Sequence, residues 1–179
     1  MTAYQIFTSD NISDTYIKDI LHLWNIAEWK DLSPTVFREQ FVLSEFHILK
    51  NEEGNILSLA RIHTEFKIRI SQNIYIFHEL VGLVSKEEQK GFGKILLQYI
   101  INNLQNRGIE TIGFCEKSLR PFYQKVGIDI LPDQANYLQE FEKGLWVPSS
   151  DDDILCIHLS PQNKGLLLSL SQTNSGYLV

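Results

Sequence analysis

Between Ile74 and Leu97 the chain reads IYIFHELVGLVSKEEQKGFGKILL, an apolar run that passes through the turn Glu88-Gln89-Lys90-Gly91-Phe92-Gly93 into a helix-like segment. A strand that ends in a glycine-containing turn and opens a helix can bind anions. The first N–H groups of the helix have no intrahelical partner and lie at the positive end of the macrodipole. Gly91 and Gly93 let the backbone approach a phosphate closely, and Lys90 or Lys94 can add positive charge. Two other nucleotide motifs are excluded. The Rossmann fingerprint needs a third glycine where Leu96 stands, and a Walker A loop needs Ser or Thr where Ile95 stands. The preceding strand also carries ionisable groups. Period-two alternation puts Glu79, Val81 and Leu83 on one face and His78, Leu80, Gly82 and Val84 on the other, in the absence of a bulge.

A second chemically loaded segment, SLRPFYQKVGI from Ser118 to Ile128, reads as a short helix following a strand. Together the two segments resemble the most recognisable motifs of the GNAT superfamily of acyl-CoA-dependent N-acetyltransferases, [Gln/Arg]-x-x-Gly-x-[Gly/Ala] and Phe-Tyr followed by Lys and Gly. The resemblance covers about Ile56 to Leu131. It implies an α/β fold with a mixed, mostly antiparallel sheet and flanking helices, in which a parallel strand pair, Ile74–Val84 and Ile109–Phe114, splays apart around an acyl-CoA. It further implies that the amides of Gln89, Lys90, Gly91, Phe92, Gly93 and Lys94 hold the pyrophosphate of acetyl-CoA. The backbone N–H of Leu83 or Val84 would polarise the thioester carbonyl. Glu79 would act as general base, often through water, with His78 as its rival, and Tyr123 would protonate the departing thiolate. Two positions depart from the family pattern. Glu88 stands where Gln or Arg is usual, and Glu116 where many members carry Asn.

A weaker likeness is to the aminoglycoside 2′-N-acetyltransferases, which place a Glu at the matching distance ahead of the turn and an Asp-rich segment before a late strand. Here those features are Glu79 and Asp151, Asp152 and Asp153. They imply a cationic small-molecule amine, aminoglycoside- or polyamine-like, as acceptor. A protein or peptide amine, an acyl group longer than acetyl, and a non-catalytic acyl-CoA sensor all stay open.

The elements that must position these residues alternate along the chain. Ala3–Thr8 reads as a strand. Ser13 or Asp14 can cap a helix through Trp24, and Ser33 with Pro34 opens another carrying Phe37 and Phe41. Three strands follow as an antiparallel meander, Phe46–Leu49, Ile56–Ile70 and Ile74–Val84. A helix over Gly93–Asn106 is predicted to bury Ile95, Leu96, Tyr99, Ile100 and Leu104, with Gly108 as its stop. Ile109–Phe114 must then run parallel to its predecessor. Ser118 can cap a helix ending at Gly127, and Ile128–Leu131 and Asp153–Leu159 read as late strands. The tail from Pro161 has no clear period.

Composition bounds the rest. A chain of 179 residues, 44% apolar, suits a single domain spanning 1–179. No signal-like start and no apolar run near the roughly 18–20 residues needed to span a bilayer is visible, which suggests a cytoplasmic protein. The formal charge of −6 disfavours nucleic acid and anionic membranes and favours cationic partners, whether the chain is a monomer or a homodimer. Cys115 and Cys156 lie in apolar stretches without metal-ligand spacing, so reduced, buried thiols and no metal are expected.

Overall fold

A computed structural model describes residues 2–179. It divides into two compact units, the chain up to Thr64 with Val81–Ile100, and Glu65–Leu80 with Ile101–Val179. β3 (Ile56–Ile70), β4 (Asn73–Ser85) and α3 (Phe92–Arg107) each contribute to both.

The first unit opens with β1 (Ala3–Thr8), followed by α1 (Asp14–Trp24), α2 (Pro34–Gln40) and β2 (Ser44–Lys50). β1 pairs antiparallel with β2, from Ala3 opposite Lys50 to Thr8 opposite Glu45, and β2 pairs antiparallel with β3. Both helices start where side chains satisfy their orphan donors. Ser13 accepts from the Tyr16 N–H, and Ser33 accepts from the Val36 N–H with Pro34 at the first position, where no N–H is missed. Their inner faces bury Ile17, Ile20 and Phe37 against Phe46, Ile48 and Leu59 of the strands, with Trp24, Trp29 and Phe41 closing an aromatic cluster.

One residue of this unit overturns the simple alternation expected of β4. Gly82 adopts φ +65°, a left-handed conformation that breaks the two-residue periodicity of a strand. The face of Leu83 and Val84 therefore cannot be counted from Glu79. The Gly82 carbonyl accepts the Trp24 indole N–H at 2.8 Å, and a Cβ at this position would lie 3.0 Å from that same nitrogen. Both the backbone angle and the close approach demand glycine. α3 also departs from expectation. It buries Leu96, Leu97, Ile100 and Leu104, whereas Tyr99 is 43% exposed and stacks on Tyr4 with ring centroids 4.9 Å apart.

In the second unit the strand order is β6 (Asp129–Leu131), β9 (Asp153–His158), β5 (Thr111–Cys115), β4, β3, β10 (Gly176–Leu178), β7 (Leu138–Glu142) and β8 (Leu145–Pro148). The pairing is mixed. β4–β5 and β10–β7 are parallel, and β10–β3, β5–β9, β6–β9 and β7–β8 are antiparallel. The β4–β5 ladder comprises three pairs, His78–Thr111, Glu79–Ile112 and Leu80–Gly113, while Phe114 and Cys115 continue to pair with β9. α4 (Arg120–Val126) follows β5, and α5 (Pro161–Leu168) follows β9. Ile68, Phe77, Ile112, Leu138, Ile154 and Leu167 form the core.

Ser118 does not cap α4. It lies inside a 3₁₀ turn, Lys117–Leu119, and the helix begins at Arg120. The tail, which showed no period, contains α5, capped by Ser160 ahead of Pro161, and then β10. Gly176 fits there because a Cβ would fall 2.7 Å from a Leu138 methyl. The β7–β8 hairpin turns on Lys143 and Gly144, both left-handed, as a two-residue turn between right-twisted strands requires. Among the described residues no helix is long and apolar enough to cross a membrane.

Gly82→Ala is expected to cost roughly 2 kcal/mol, since an L side chain is strained at positive φ and the indole must move. Denaturant titration checks this. An unchanged midpoint would mean that the left-handed kink is not fixed by glycine.

Candidate functional site

In the first unit the candidate residues lie at the turn between β4 and α3. Beyond Ser85 the Lys86 N–H bonds to the Leu57 carbonyl at 2.9 Å, fixing the strand end. Gln89 and Gly91 then take φ of 59° and 77°, and the residues Glu88 to Gly91 are exposed. The first bond of the helix runs from the Ile95 N–H to the Gly91 carbonyl at 3.1 Å. The N–H groups of Phe92, Gly93 and Lys94 precede it and have no backbone acceptor among the described residues. A Cβ on Gly91 would meet nothing within 4 Å, so its glycine requirement comes from φ and the space above the turn is open. Free amides, an open approach and the exposed Lys90 and Lys94 fit a pyrophosphate. Glu88 is itself exposed. Leu83 and Val84 are half-buried in this unit, and the Val84 carbonyl accepts the Ser58 hydroxyl at 2.8 Å.

The second unit holds the remaining candidates. Glu79 and His78 are half-buried in the ladder to β5, and the His78 N–H bonds to the Glu110 carbonyl at 2.9 Å. Tyr123 lies on α4 and is 8% exposed, and its hydroxyl makes no hydrogen bond among the described residues. Burial, then the neighbouring Cys115 and Asp151, push its pKa up to about 12. The phenol therefore stays protonated across any ordinary working pH. Cys115 itself is raised to about 11, first by burial and then by Asp153 and Asp151, which makes it an inert thiol.

The three aspartates before β9 have three different environments. Asp153 is completely buried, and Arg120 grips both of its oxygens at 2.6 Å while the Asp133 N–H donates to it at 2.9 Å. These bonds, Arg120 foremost, hold its carboxyl below the usual carboxylate range. Both oxygens of Asp153, expected from the sequence to lie near an acceptor, are thus engaged within the protein. Asp152 accepts the Lys117 N–H at 2.8 Å, securing the turn that leads into α4. Asp151 is half-buried, and its carboxylate has no hydrogen bond or ion pair among the described residues. Burial raises its pKa first, followed by repulsion from Glu140, Glu116 and Asp152.

Arg120 carried no assignment from the sequence. The one available signal was Asp153 at the head of the apolar strand DILCIH, because a buried carboxylate requires a cation. Nothing local says which cation.

With this geometry in place the fold can be compared with solved structures. A glucosamine-6-phosphate N-acetyltransferase from Arabidopsis thaliana superposes with a TM-score of 0.52 at 14% identity, covering 71% of this chain and 92% of that one. An N-acetyltransferase from Staphylococcus aureus Mu50 gives 0.56 at 14% identity, with 87% and 96% covered. The catalytic domain of the Tetrahymena GCN5 histone acetyltransferase, in complex with coenzyme A, gives 0.54 at 13% identity, with 88% and 94% covered. The chain thus has the mixed α/β fold of the N-acetyltransferases. No protein-family model and no curated protein matches the sequence.

The Arg120–Asp153 pair makes a stability claim. Asp153 has a depressed pKa in the folded state, so its contribution is present above the unfolded carboxylate pKa and is lost as pH falls through the folded value. Asp153→Ala is expected to cost about 3 kcal/mol at pH 7, with the gap to the wild type closing below about pH 4. Parallel urea titrations at the two pH values check it. A gap that does not change with pH would show that the carboxylate charge is not what stabilises.

Proposed function

We propose that this chain is an acyl-CoA-dependent N-acetyltransferase that passes the acetyl group of acetyl-CoA directly to a primary amine. The observation that carries this reading is the start of α3, where three consecutive amides without a backbone acceptor open onto an unobstructed turn. In this reading Gln89, Lys90, Gly91, Phe92, Gly93 and Lys94 hold the donor's pyrophosphate, and the backbone N–H of Leu83 or Val84 polarises the thioester carbonyl.

Acyl transfer to an amine also needs a donor for the departing sulfur and a base for the incoming nitrogen. Tyr123 suits the first task. Its hydroxyl is unpartnered and firmly protonated, so it can hydrogen-bond to the thiolate as charge develops there. Glu79, half-buried on β4, is the candidate for the second, with His78 beside it in sequence.

The fold by itself does not choose the acceptor, since the structures above include both a glucosamine-6-phosphate enzyme and a histone acetyltransferase. A cationic small molecule, aminoglycoside- or polyamine-like, is favoured by the formal charge of −6 and by the uncompensated Asp151. A protein or peptide amine is the alternative acceptor.

The test is thiol release from acetyl-CoA in the presence of polyamines, aminoglycosides and lysine-bearing peptides, together with calorimetry of acetyl-CoA binding. Turnover with a cationic amine is expected. Tyr123→Phe should lower kcat about 10²–10³-fold while leaving acetyl-CoA affinity within about twofold, because the hydroxyl matters only as thiolate charge forms. Binding without thiol release from any amine would make the protein an acyl-CoA sensor. Full turnover in the variant would remove Tyr123 from the chemistry.

A further inference from the structure

In the second unit, the parts of β3 and β4 that belong to it have two faces of different character. Ile68 and Ile70 of β3 and Phe77 of β4 lie in the core, with Tyr75 packed against it. None of residues 65–70 and 73–77 has a positive φ, so strand alternation holds there. Glu65, Lys67 and Arg69 of β3 and Ile74 and Ile76 of β4 therefore share the face turned away from that core. The register carries this face across three more strands. Tyr177 of β10 stands opposite Arg69, Gln139 of β7 stands beside Tyr177, and Phe141 of β7 stands opposite Trp146 of β8. The rings meet accordingly. Trp146 lies edge-on to Tyr177 with centroids 5.0 Å apart, and Phe141 tilts against Trp146 at 5.1 Å.

This face is apolar and open to solvent. Ile74 and Ile76 are each 58% exposed, Phe141 61% and Trp146 38%. At such exposures the four side chains present roughly 400 Å² of largely apolar surface, a size at which a patch on a single chain is often functional. Five strands about 4.8 Å apart make the face about 20 Å wide. With Tyr177, Arg69, Lys67 and Glu65 added, it approaches the ~800 Å² that each partner of a stable complex buries. Arg69 is held within it by two rings. Its guanidinium carbon is 5.0 Å from the Tyr177 centroid and 5.7 Å from that of Trp146, and it has no hydrogen bond or ion pair among the described residues. The rings fix the guanidinium and leave its donors open to a carboxylate. The same strand face carries one, Glu65, an exposed residue whose carboxylate lies 3.6 Å from the Lys67 ammonium.

We infer that this face docks on the same face of a second copy of the chain, giving a twofold homodimer. The inference is independent of the acyltransfer reading. Two sheets packed face to face lie about 10 Å apart, and a twofold axis makes such a contact self-complementary. An axis lying across the strands at Lys67 stacks each strand on its own copy, antiparallel. The apolar row of β4 then meets its counterpart, as do the aromatic rows of β7 and β8. Along β3 the order Glu65, Lys67, Arg69 is reversed in the second copy, so Glu65 of each chain faces Arg69 of the other. Lys67, at the axis, stays beside its own Glu65. The other possible axis, running along β3, would stack Arg69 on Arg69 and is disfavoured by their repulsion. The face thus supplies both the carboxylate that Arg69 lacks and the apolar surface that Ile76 and Phe141 leave bare.

Sedimentation equilibrium of the full chain tests this, because the dimer has twice the mass of the 20.7 kDa chain. A wild-type dimer is expected. Ile76→Glu and Phe141→Glu should each raise its Kd by about 100-fold or more, since either change buries a charge in the contact. Val42→Glu, the same change at a residue 60% exposed in the first unit, should leave the dimer as it is. Arg69→Glu and Glu65→Arg should each weaken the dimer by about tenfold or more, and the two combined should recover most of the affinity, which a loss of packing alone would not do. A wild type that stays monomeric at its highest soluble concentration would overturn the proposal. So would a dimer that survives both Ile76→Glu and Phe141→Glu, or a combined charge exchange that recovers nothing. A monomer that binds an acidic, phenylalanine-bearing probe peptide through Trp146 would assign the face to a different protein and overturn it as well. None of these readouts involves thiol release, so failure of the acyltransfer reading would leave them untouched.

Discussion

The second unit is organised around a charge that cannot be left alone. Asp153 is fully buried, and a carboxylate in that position is tolerated only when paired and hydrogen-bonded. Arg120 supplies both at once through two parallel bonds, and the geometry of that fork fixes more than the pair. It sets the first turn of α4 against the head of β9, and with it the rotation of the helix that carries Tyr123. The same pairing, through Asp152 and Lys117, holds the short turn between β5 and α4. Tyr123, three residues beyond Arg120 on the same helix, takes its place from where the fork closes.

The first unit depends on glycine at two left-handed positions, for different reasons. Gly82 is pressed against Trp24, so neither its angle nor its missing side chain can be given up. Gly91 has free space around it and is needed for its angle alone, which starts α3 with its amides facing outward. Open space above free amides is what an anion requires, and the lack of any neighbour at Gly91 is thus as informative as the crowding at Gly82.

Much of this was legible in the sequence because it is local. The limits of β1 and β3 agree with expectation, β3 being set off by the turn residues on either side of it. Ser13 and Ser33 cap the helices they precede, and the glycine turn before α3 stands where its spacing places it. What was hidden is what depends on distant partners. β10 is three residues long and gains its place by filling a gap between β3 and β7, so no periodicity announces it. The Lys143-Gly144 hairpin lacks the apolar alternation that would flag its strands. Gly82 reads as one more strand residue until Trp24 is seen against it. The three consecutive aspartates look alike in one dimension, yet Asp153 is structural, Asp152 ties a turn and Asp151 is left over. Only the fold distinguishes them, because the distinction is made by Arg120, thirty-odd residues away.

Backbone amides at the start of α3 are the groups proposed to hold the pyrophosphate of the acyl donor. Amide chemical shifts report on them directly. In an ¹⁵N-labelled sample titrated with coenzyme A, the resonances of Gly91, Phe92, Gly93 and Lys94 are expected to move together along one saturating curve, and inorganic pyrophosphate should shift the same amides more weakly. Saturable binding of coenzyme A that leaves those four resonances in place and moves others would contradict the claim.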